Sequence, residues 1–299
     1  SGGATCPSLL LEPSRTNLIT NSEYYGGGDW IRTNIGAITN AIISPQGVQN
    51  ATKLTESGAS NTNFRLRSYS TSTSGANTLS IFAKAGERNW VFLRENAQTG
   101  VFAYFNLEDG TIGQNTADNA TIEPYGNGWY RISISDVLTS VGMDLRIAIA
   151  DGDNDYDGVL GYGVYVYGAQ IEPNASYKTS YIPTYGVSQT RSADAVSITG
   201  IQTNGLIGSN QGSFVFHYKP YNAYTGSGGK IYDFRIDSNN RMANYFSNGT
   251  LRLFSNIAGA TNFNQGTTLD GDTEFKIGVA YDADSTLVYI NGTLTYTLN

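Results

Sequence analysis

An acidic stretch, DGDNDYDG at residues 151–158, is the part of this sequence closest to a metal-binding loop. Its aspartates alternate along the chain and are Asp151, Asp153, Asp155 and Asp157. Carboxylate oxygens are ligands that Ca²⁺ prefers, but an EF-hand would require glycine and a bidentate glutamate where Tyr156 and Tyr162 stand. The stretch therefore predicts either a structural calcium site of another kind or a solvated acidic turn.

Aromatic side chains beside polar or cationic ones recur in the strand-like stretches of the first part of the chain. In 101–107 and 128–135, apolar residues alternate with these mixed residues, so the two kinds should lie on opposite faces of a sheet. The set that we expect to contact sugar is Phe102, Tyr104, Asn106, Trp129, Arg131 and Arg146. A pyranose stacks on an aromatic ring while arginine and asparagine hydrogen-bond its hydroxyls. The alternative is that a loop, a terminal segment or a neighbouring subunit covers these rings.

Residues that could carry catalysis are scarce. One cysteine, Cys6, and one histidine, His217, exclude an intrachain disulfide and a Cys/His zinc site, and we expect the thiol to be inert. A nucleophile motif for a triad is missing, and the clearest acidic strand offers only Asp233 and Asp237 where a glycosidase needs paired carboxylates. We expect no enzyme. The alternative is a polysaccharide hydrolase, or a lyase that uses tyrosine with His217 and Arg235.

The composition favours an all-β protein without a basic surface. The 299 residues include 35 glycines and 21 tyrosines, whereas charged residues make up only 14%. Such a chain is polar through uncharged side chains, which is typical of strands joined by many turns. The formal net charge is −7 and the pI about 4.7, so neither nucleic acid nor an acidic membrane surface is expected as a partner. The sequence has no apolar run long enough to insert into a membrane as a helix.

Short alternating segments separated by Gly, Asn, Asp and Ser predict strands throughout, and helical periodicity is nearly absent. The clearest segments are 77–84, 89–95, 101–107, 128–135, 143–150, 213–219, 230–237, 241–247, 250–255, 274–282 and 286–292. The pattern is looser between Gly186 and Gly200. We therefore predict two β-sandwich or jelly-roll domains, residues 1–190 and 191–299.

A series of phrases in fixed order gives a resemblance to a known family. The phrases are SLLLEPSRTNLITNSE (8–23), SPQGVQNATKLTE (44–56), IFAKAGERNWV (81–91), GNGWYRISI (126–134), YGVYVYGAQIEP (162–173) and TSYIPTYGVSQTRSADAVSI (179–198). Residues 6–198 resemble a module of bacteriophage tail and head-fibre proteins that is similar to jelly-roll carbohydrate-binding modules. Residues 200–299 more weakly resemble a concanavalin-like, laminin-G-type sandwich, chiefly in EFKIGVAYDADSTLVYING (274–292). A full domain of that type would continue beyond Asn299, so this resemblance implies that the second domain is incomplete.

The resemblance makes the strand around Gly168 central to the first sandwich. We expect Ala169 and Ile171 to fill its core, with Tyr167 and Tyr165 beside them. Val164 and Val166 would then face a second layer, which could be the N-terminal segment, a neighbouring domain or another subunit. A bulge at Gly168 would exchange these two assignments.

Charged residues near the two ends of this module have a structural interpretation. Glu12 and Arg15 lie in LEPSRTN, and Arg191 and Asp194 lie in TRSAD. We expect them to pair and so to tie the two ends together, with a ligand role as the alternative.

The resemblance implies a non-catalytic virion fibre or decoration protein at the virion surface that binds host or environmental polysaccharide. Its partners would be the polysaccharide and other virion proteins, and it would assemble as a homo-oligomer, with a trimer as one possibility. No cofactor is required beyond the calcium considered above. The alternatives are a purely structural virion protein and an accessory module of a secreted polysaccharide-degrading enzyme. The sequence does not name the glycan or the host.

Overall fold

The computed structural model describes residues 10–298 apart from residues 70, 97–99, 201–203, 206, 207, 209, 219–226, 238, 248, 249, 258, 259, 269–273 and 283. Cys6 and Asn299 lie outside the described residues. The chain divides into two compact units, Ser1–Ala195 and Val196–Asn299.

The described residues form strands and no helix, which confirms the all-β prediction. The strands of the first unit are β1 (Arg15–Asn17), β2 (Trp30–Thr33), β3 (Ile35–Ile42), β4 (Ala51–Glu56), β5 (Phe64–Ser68), β6 (Thr71–Ser72), β7 (Ala76–Ala85), β8 (Trp90–Glu95), β9 (Phe102–Asn106), β10 (Thr111–Asn115), β11 (Asn119–Pro124), β12 (Trp129–Val137), β13 (Ser140–Val141), β14 (Met143–Ala148), β15 (Gly163–Pro173) and β16 (Gln189–Arg191). Over the same described part of the chain, nothing helical is long and apolar enough to cross a membrane.

Two six-stranded antiparallel sheets build the first unit. The front sheet has the order β10-β9-β8-β14-β5-β2, and the back sheet has the order β11-β12-β7-β15-β4-β3. Apolar side chains from both sheets meet in one buried cluster, so the unit is a β-sandwich. Its assignment as a jelly roll stays a prediction.

Period-two alternation explains which side chains fill this core. In β14, Met143, Leu145 and Ile147 are buried in the cluster, while Asp144 and Arg146 point to the opposite face of the front sheet. These three apolar positions are the ones that the alternation predicts. Ile149, which continues the same alternation, lies beyond the strand and is exposed.

The strand β15 is covered on both faces, and its core assignment differs from the expectation. Val164 and Val166 lie in the core together with Ala169 and Ile171, so the prediction that the two valines face a second layer is wrong. The register of β15 against β7 shifts between Tyr167 and Gln170, and Gly168 lies in this interval with a φ of +60°. The extra residue of this bulge returns the strand to the same face, and its positive φ is one that glycine adopts without strain.

Terminal segments cover the outer face of the back sheet. The expectation that Tyr167 and Tyr165 lie in the main core is wrong, because Tyr167 packs on this outer face against Phe82 and Trp129 in a second buried cluster, with Tyr165 beside it. The ring of Tyr181 lies 5.5 Å from that of Tyr167. The amide of Asn17 donates hydrogen bonds to the carbonyl oxygens of Ala169 and Ile182, at 3.1 and 2.9 Å. The second layer over this sheet therefore comes from the first unit's own ends.

The expected pairing of the two ends is confirmed. Strands β1 and β16 pair antiparallel, with Arg15 opposite Arg191. The guanidinium of Arg191 forms an ion pair with Glu12, and the carboxylate of Asp194 accepts a hydrogen bond from the amide N–H of Glu12 at 2.9 Å.

The second unit is also built from antiparallel strands. They are β17 (Gly212–Tyr218), β18 (Ser227–Asp237), β19 (Asn240–Ser247), β20 (Thr250–Ile257), β21 (Ala260–Thr268), β22 (Phe275–Tyr281), β23 (Thr286–Ile290) and β24 (Thr293–Leu298). Two four-stranded sheets, β17-β22-β23-β24 and β18-β19-β20-β21, share a buried cluster that includes Leu253, Ile277 and Val288. His217 lies on the exposed side of β17 and pairs with Glu274, while the side chain of Arg235 lies outside the described part.

Candidate functional site

The outer face of the front sheet has an aromatic half and an arginine half. The aromatic half lies on β9 and β8, and the arginine half extends from β8 across β14 to β5. The residues on this face are Trp90, Phe92, Phe102, Tyr104, Asn106, Arg65, Arg67, Arg94, Asp144 and Arg146. We call this set the aromatic–arginine face. Strand pairing aligns it in rows, one of which runs from Tyr104 through Phe92 and Arg146 to Arg65.

The aromatic half has a buried base and an accessible rim. Phe92 and Tyr104 are each 5% exposed, and their ring centroids lie 4.7 Å apart. Trp90 and Phe102 pack against them and remain half-buried, and the rings of Phe92 and Phe102 are 5.3 Å apart. Rings held in this way present a rigid apolar surface, of the kind on which a sugar stacks at little cost in side-chain entropy.

Amide groups lie beside these rings. The side chain of Asn106 accepts a hydrogen bond from the amide N–H of Glu108 at 3.0 Å, and its own N–H groups have no partner among the described residues. Asn154 accepts a hydrogen bond from Arg146 at 2.8 Å and contacts the hydroxyl of Tyr104, which joins the two halves of the face. Burial raises the pKa of Tyr104, so this hydroxyl stays protonated.

One carboxylate, Asp144, organises the middle of the arginine half. It is fully buried and forms ion pairs with Arg94 at 2.5 Å and with Arg146 at 3.2 Å. The guanidinium groups of these arginines also stack over the ring of Phe92, at 5.9 and 5.3 Å from its centroid. Arg94 and Arg146 are therefore held in place by both charge and aromatic contact.

Arg65 and Arg67, the next arginines on the face, lack such partners. They pair in register with Arg146 and Asp144, yet neither guanidinium makes a hydrogen bond or ion pair to the described residues. The Nε atoms of both are buried without a hydrogen-bond partner. Burial, and then the adjacent charge of Arg67, lowers the pKa of Arg65. This part of the face carries more positive charge than its one nearby acid, Asp144, balances.

Trp129 and Arg131 lie elsewhere and are covered by other parts of the chain, which is the alternative considered for these residues. Both are on β12 of the back sheet, 3% and 6% exposed. Trp129 packs in a cluster with Phe82 and Tyr167, against which Ile42 and Tyr181 also pack. The indole N–H of Trp129 donates to the carbonyl oxygen of Ile43 at 3.1 Å, and Arg131 stacks 5.2 Å over the ring of Phe82. Alternation placed them correctly off the main core, but the segments that cover them come from distant parts of the sequence.

Two of the four aspartates of 151–158 hold separate loops through hydrogen bonds. Asp151 accepts a hydrogen bond from the amide N–H of Gln114 at 2.7 Å, and Asp157 accepts one from Asn61 at 2.7 Å. Asp153 is half-buried and Asp155 is exposed. Among the residues that the structure describes, no three His, Cys, Asp or Glu side chains come together as a metal site.

A second concave site surrounds Glu23, in a cleft of about 210 Å³. The carboxylate of Glu23 accepts hydrogen bonds from the hydroxyls of Tyr167, Tyr181 and Tyr185 at 3.0, 3.2 and 3.2 Å. Tyr185 is 71% exposed at the rim. A carboxylate so placed repels anions, so this cleft is suited only to neutral or cationic groups.

Trp90, Arg65, Arg67 and Arg94 were missed by the sequence reasoning. The alternation in FRLRS (64–68) and NWVFLRE (89–95) places these residues on the outer side of their strands. What the sequence lacks is the order of the strands, which brings residues far apart in the chain into one row.

No protein-family profile and no curated protein matches this chain.

Proposed function

We propose that the first unit is a non-catalytic module that binds surface polysaccharide on its aromatic–arginine face. The observation that supports this most is that half-buried Trp90 and Phe102 lie on a rigid aromatic base directly beside guanidinium and amide donors. Apolar ring faces next to hydrogen-bond donors match the two kinds of surface that a pyranose presents.

The binding mechanism combines stacking with hydrogen bonding. A sugar ring stacks on Trp90 or Phe102, while Asn106 and the guanidinium groups donate hydrogen bonds to its oxygens. Each contact is weak because the face is open and solvated. Several copies of the face on one assembly would raise the overall avidity without any new contact.

The charge arrangement of the face supports binding rather than glycoside hydrolysis. Hydrolysis needs two carboxyl groups that flank the scissile bond, one of which must hold a proton. Asp144 is fully buried between Arg94 and Arg146, so it reaches no substrate and its charge is already balanced.

We also propose that the protein is a fibre or decoration component at the surface of a phage virion. This rests on the resemblance of residues 6–198 to tail and head-fibre modules. In that setting the chain assembles as a homo-oligomer and contacts other virion proteins. The homo-oligomer supplies the repeated binding faces that weak binding requires. Mass spectrometry of purified virions tests the proposal. Peptides of this chain at structural copy number support it, and their absence from intact particles contradicts it.

Binding is tested by affinity electrophoresis of Trp90→Ala and Phe102→Ala in gels containing polysaccharide. We expect retention to weaken by roughly fivefold to tenfold for each variant, because a stacked ring is worth about 1 kcal/mol or more. Tyr185→Ala removes an exposed ring at the Glu23 cleft and should leave retention unchanged. Loss of retention only in Tyr185→Ala would move the site to that cleft, and retention of no polysaccharide by the wild type would refute the proposal.

A further inference from the structure

We propose that Arg65 and Arg67 form a subsite for an anionic group of the glycan, the carboxylate of a uronic acid or a sulfate ester. This assignment rests on the proposed function and narrows it to acidic polysaccharides.

The charges on the aromatic–arginine face do not balance. Arg65, Arg67, Arg94 and Arg146 face a single acid, Asp144, in a chain whose net charge is −7. A general excess of basic residues therefore does not explain a cluster of guanidinium groups at one place. Such a cluster is typical of a surface that meets anions.

The one acid on the face is already used. Asp144 is contacted by Arg94 and Arg146, and although Arg67 is its register partner on β5, the two make no ion pair. Two other acids near this sheet, Asp151 and Asp153, act on Tyr104 at the aromatic end of the face. No described residue forms an ion pair or hydrogen bond with the guanidinium groups of Arg65 and Arg67, and Asp144, whose charge also acts on Arg65, is already paired with two other arginines.

The partial burial of Arg65 and Arg67 makes this arrangement costly without a ligand. Both are half-buried, and their Nε atoms are shielded from water without accepting partners. Like charges held close together on neighbouring positions repel each other, and desolvation increases the penalty. An anion between them would replace repulsion by charge-assisted hydrogen bonds, for which the planar guanidinium fork is suited.

The geometry of the sheet links this subsite to the rings. The arginines on β5 lie three strand intervals from the rings on β9, which is roughly 14 Å at about 4.8 Å per strand. A short oligosaccharide could therefore stack one sugar on Phe102 or Trp90 and direct the acidic group of another toward β5. The Glu23 cleft, which has the opposite charge, would not accept the same ligand.

The experiment compares acidic and neutral polymers on the full chain by isothermal titration calorimetry at low salt. Polygalacturonate carries carboxylates, dextran sulfate carries sulfates, and dextran carries neither. We expect both acidic polymers to bind at least roughly tenfold more tightly than dextran, and Arg65→Gln/Arg67→Gln to lose roughly tenfold to hundredfold of that affinity. Arg32→Gln is the control, because Arg32 is exposed on β2 of the same sheet but alternates to the opposite side.

A stability measurement separates a binding role from a structural one. If Arg65 and Arg67 only supported the fold, their replacement would lower the melting temperature. We expect Arg65→Gln/Arg67→Gln to melt at the same temperature as the wild type or higher, because repulsion is relieved. Lower stability together with unchanged affinity for acidic polymers would overturn the subsite.

The outcomes distinguish this inference from the proposed function. Dextran binding that depends on Trp90 but not on the arginine pair would leave the function standing and refute the subsite. If no polymer binds, yet free sulfate or glucuronate raises the melting temperature of the wild type and not of the double variant, the subsite stands and the polysaccharide function fails. Tighter binding to single-stranded DNA than to any acidic glycan would overturn the assignment to sugar.

Discussion

Arg65 and Arg67 are held in place by the register of β5 rather than by partners of their own. Their strand neighbours Arg146 and Asp144 are already engaged with each other and with Arg94. Side chains that cost stability in the free protein and have no internal role are typical of binding surfaces. This residue-level imbalance is what directs attention to the front sheet.

At the residue scale, Trp129 and Trp90 should respond in opposite ways to truncation. Trp129→Ala removes a buried ring and the hydrogen bond to Ile43, so we expect the free energy of unfolding to fall by about 3–5 kcal/mol. Trp90→Ala removes a half-buried ring, so it should lower the free energy of unfolding by less than Trp129→Ala does. It should, however, weaken polysaccharide retention. Urea denaturation followed by circular dichroism measures the first effect. A Trp129→Ala protein as stable as the wild type would contradict the buried position of this ring.

The sequence reasoning identified the right kind of residue at this scale but only part of the right set. Phe102, Tyr104, Asn106 and Arg146 do lie together on one sheet face, because alternation within a strand is local and easily recognised. For Trp129, the surroundings are set by long-range contacts. Its strand was predicted correctly, but its cover comes from chain segments more than 40 residues away from it, which no local pattern reveals.

At the element scale, β15 depends on the bulge at Gly168. A Cβ at this position would lie 3.1 Å from the side chains of both Phe82 and Tyr181, and the φ of +60° is unfavourable for other residues. We expect Gly168→Ala to lower the free energy of unfolding by about 1–2 kcal/mol or more, as measured in urea. Gly186→Ala is the control for φ alone, because its φ is +88° but no atom lies within 4 Å of its Cβ position. Equal effects of the two changes would show that packing around the bulge contributes nothing.

Glu56 joins β4 to the loop before β15. Its buried carboxylate accepts hydrogen bonds from Arg88 Nε at 2.7 Å, from the hydroxyl of Tyr156 at 2.7 Å and from the amide N–H of Val159 at 2.6 Å. Burial opposes ionisation, but the hydrogen bonds from Arg88, Tyr156 and Val159 outweigh it and lower the pKa of Glu56. The loop is therefore fixed by an ionised carboxylate.

Replacing this carboxylate should change stability and its pH dependence. Glu56→Gln leaves Arg88 without its partner, so we expect the free energy of unfolding to fall by about 3 kcal/mol at neutral pH. Because the folded pKa lies below the unfolded one of about 4.3, the stabilisation is complete above about pH 5 and is lost as the pH falls through the folded value. The wild type should thus lose stability below pH 5 more steeply than the variant.

Glu87→Gln is the matched control for Glu56→Gln. Glu87 pairs with Lys53 at 2.7 Å, but its side chain is 41% exposed, so water screens the pair. We expect its replacement to lower the free energy of unfolding by less than about 1 kcal/mol.

Parallel stability curves for wild type and Glu56→Gln between about pH 7 and pH 3 would contradict the role of the buried carboxylate.

At the scale of the whole molecule, the net charge of −7 and the local arginine cluster act in opposite directions on an acidic polymer. The polymer is repelled at a distance and attracted only at the front sheet. We expect the affinity for polygalacturonate to fall by roughly tenfold between 50 mM and 500 mM salt, because added ions weaken the strong contacts at the exposed guanidinium groups by more than they relieve the weaker repulsion at a distance. Dextran binding should change little over the same range. Affinity for the acidic polymer that is insensitive to salt would contradict an ionic contribution.

The all-β class and the sandwich character follow from composition and period-two alternation, which are properties of the whole chain. The order of the strands does not, because it depends on long-range pairing such as that of β8 with both β9 and β14. The aromatic–arginine face is a product of that order. For this reason its rings were partly predicted from the sequence, whereas the unpaired arginines Arg65 and Arg67 were not.

The most direct test of the account is a crystal structure of the protein with an acidic oligosaccharide, such as a trimer of galacturonic acid. We expect density for a sugar ring stacked on Trp90 or Phe102 and for a carboxylate within hydrogen-bond distance of Arg65 or Arg67. Density for the ligand in the Glu23 cleft or on the second unit, with the front sheet empty, would contradict it.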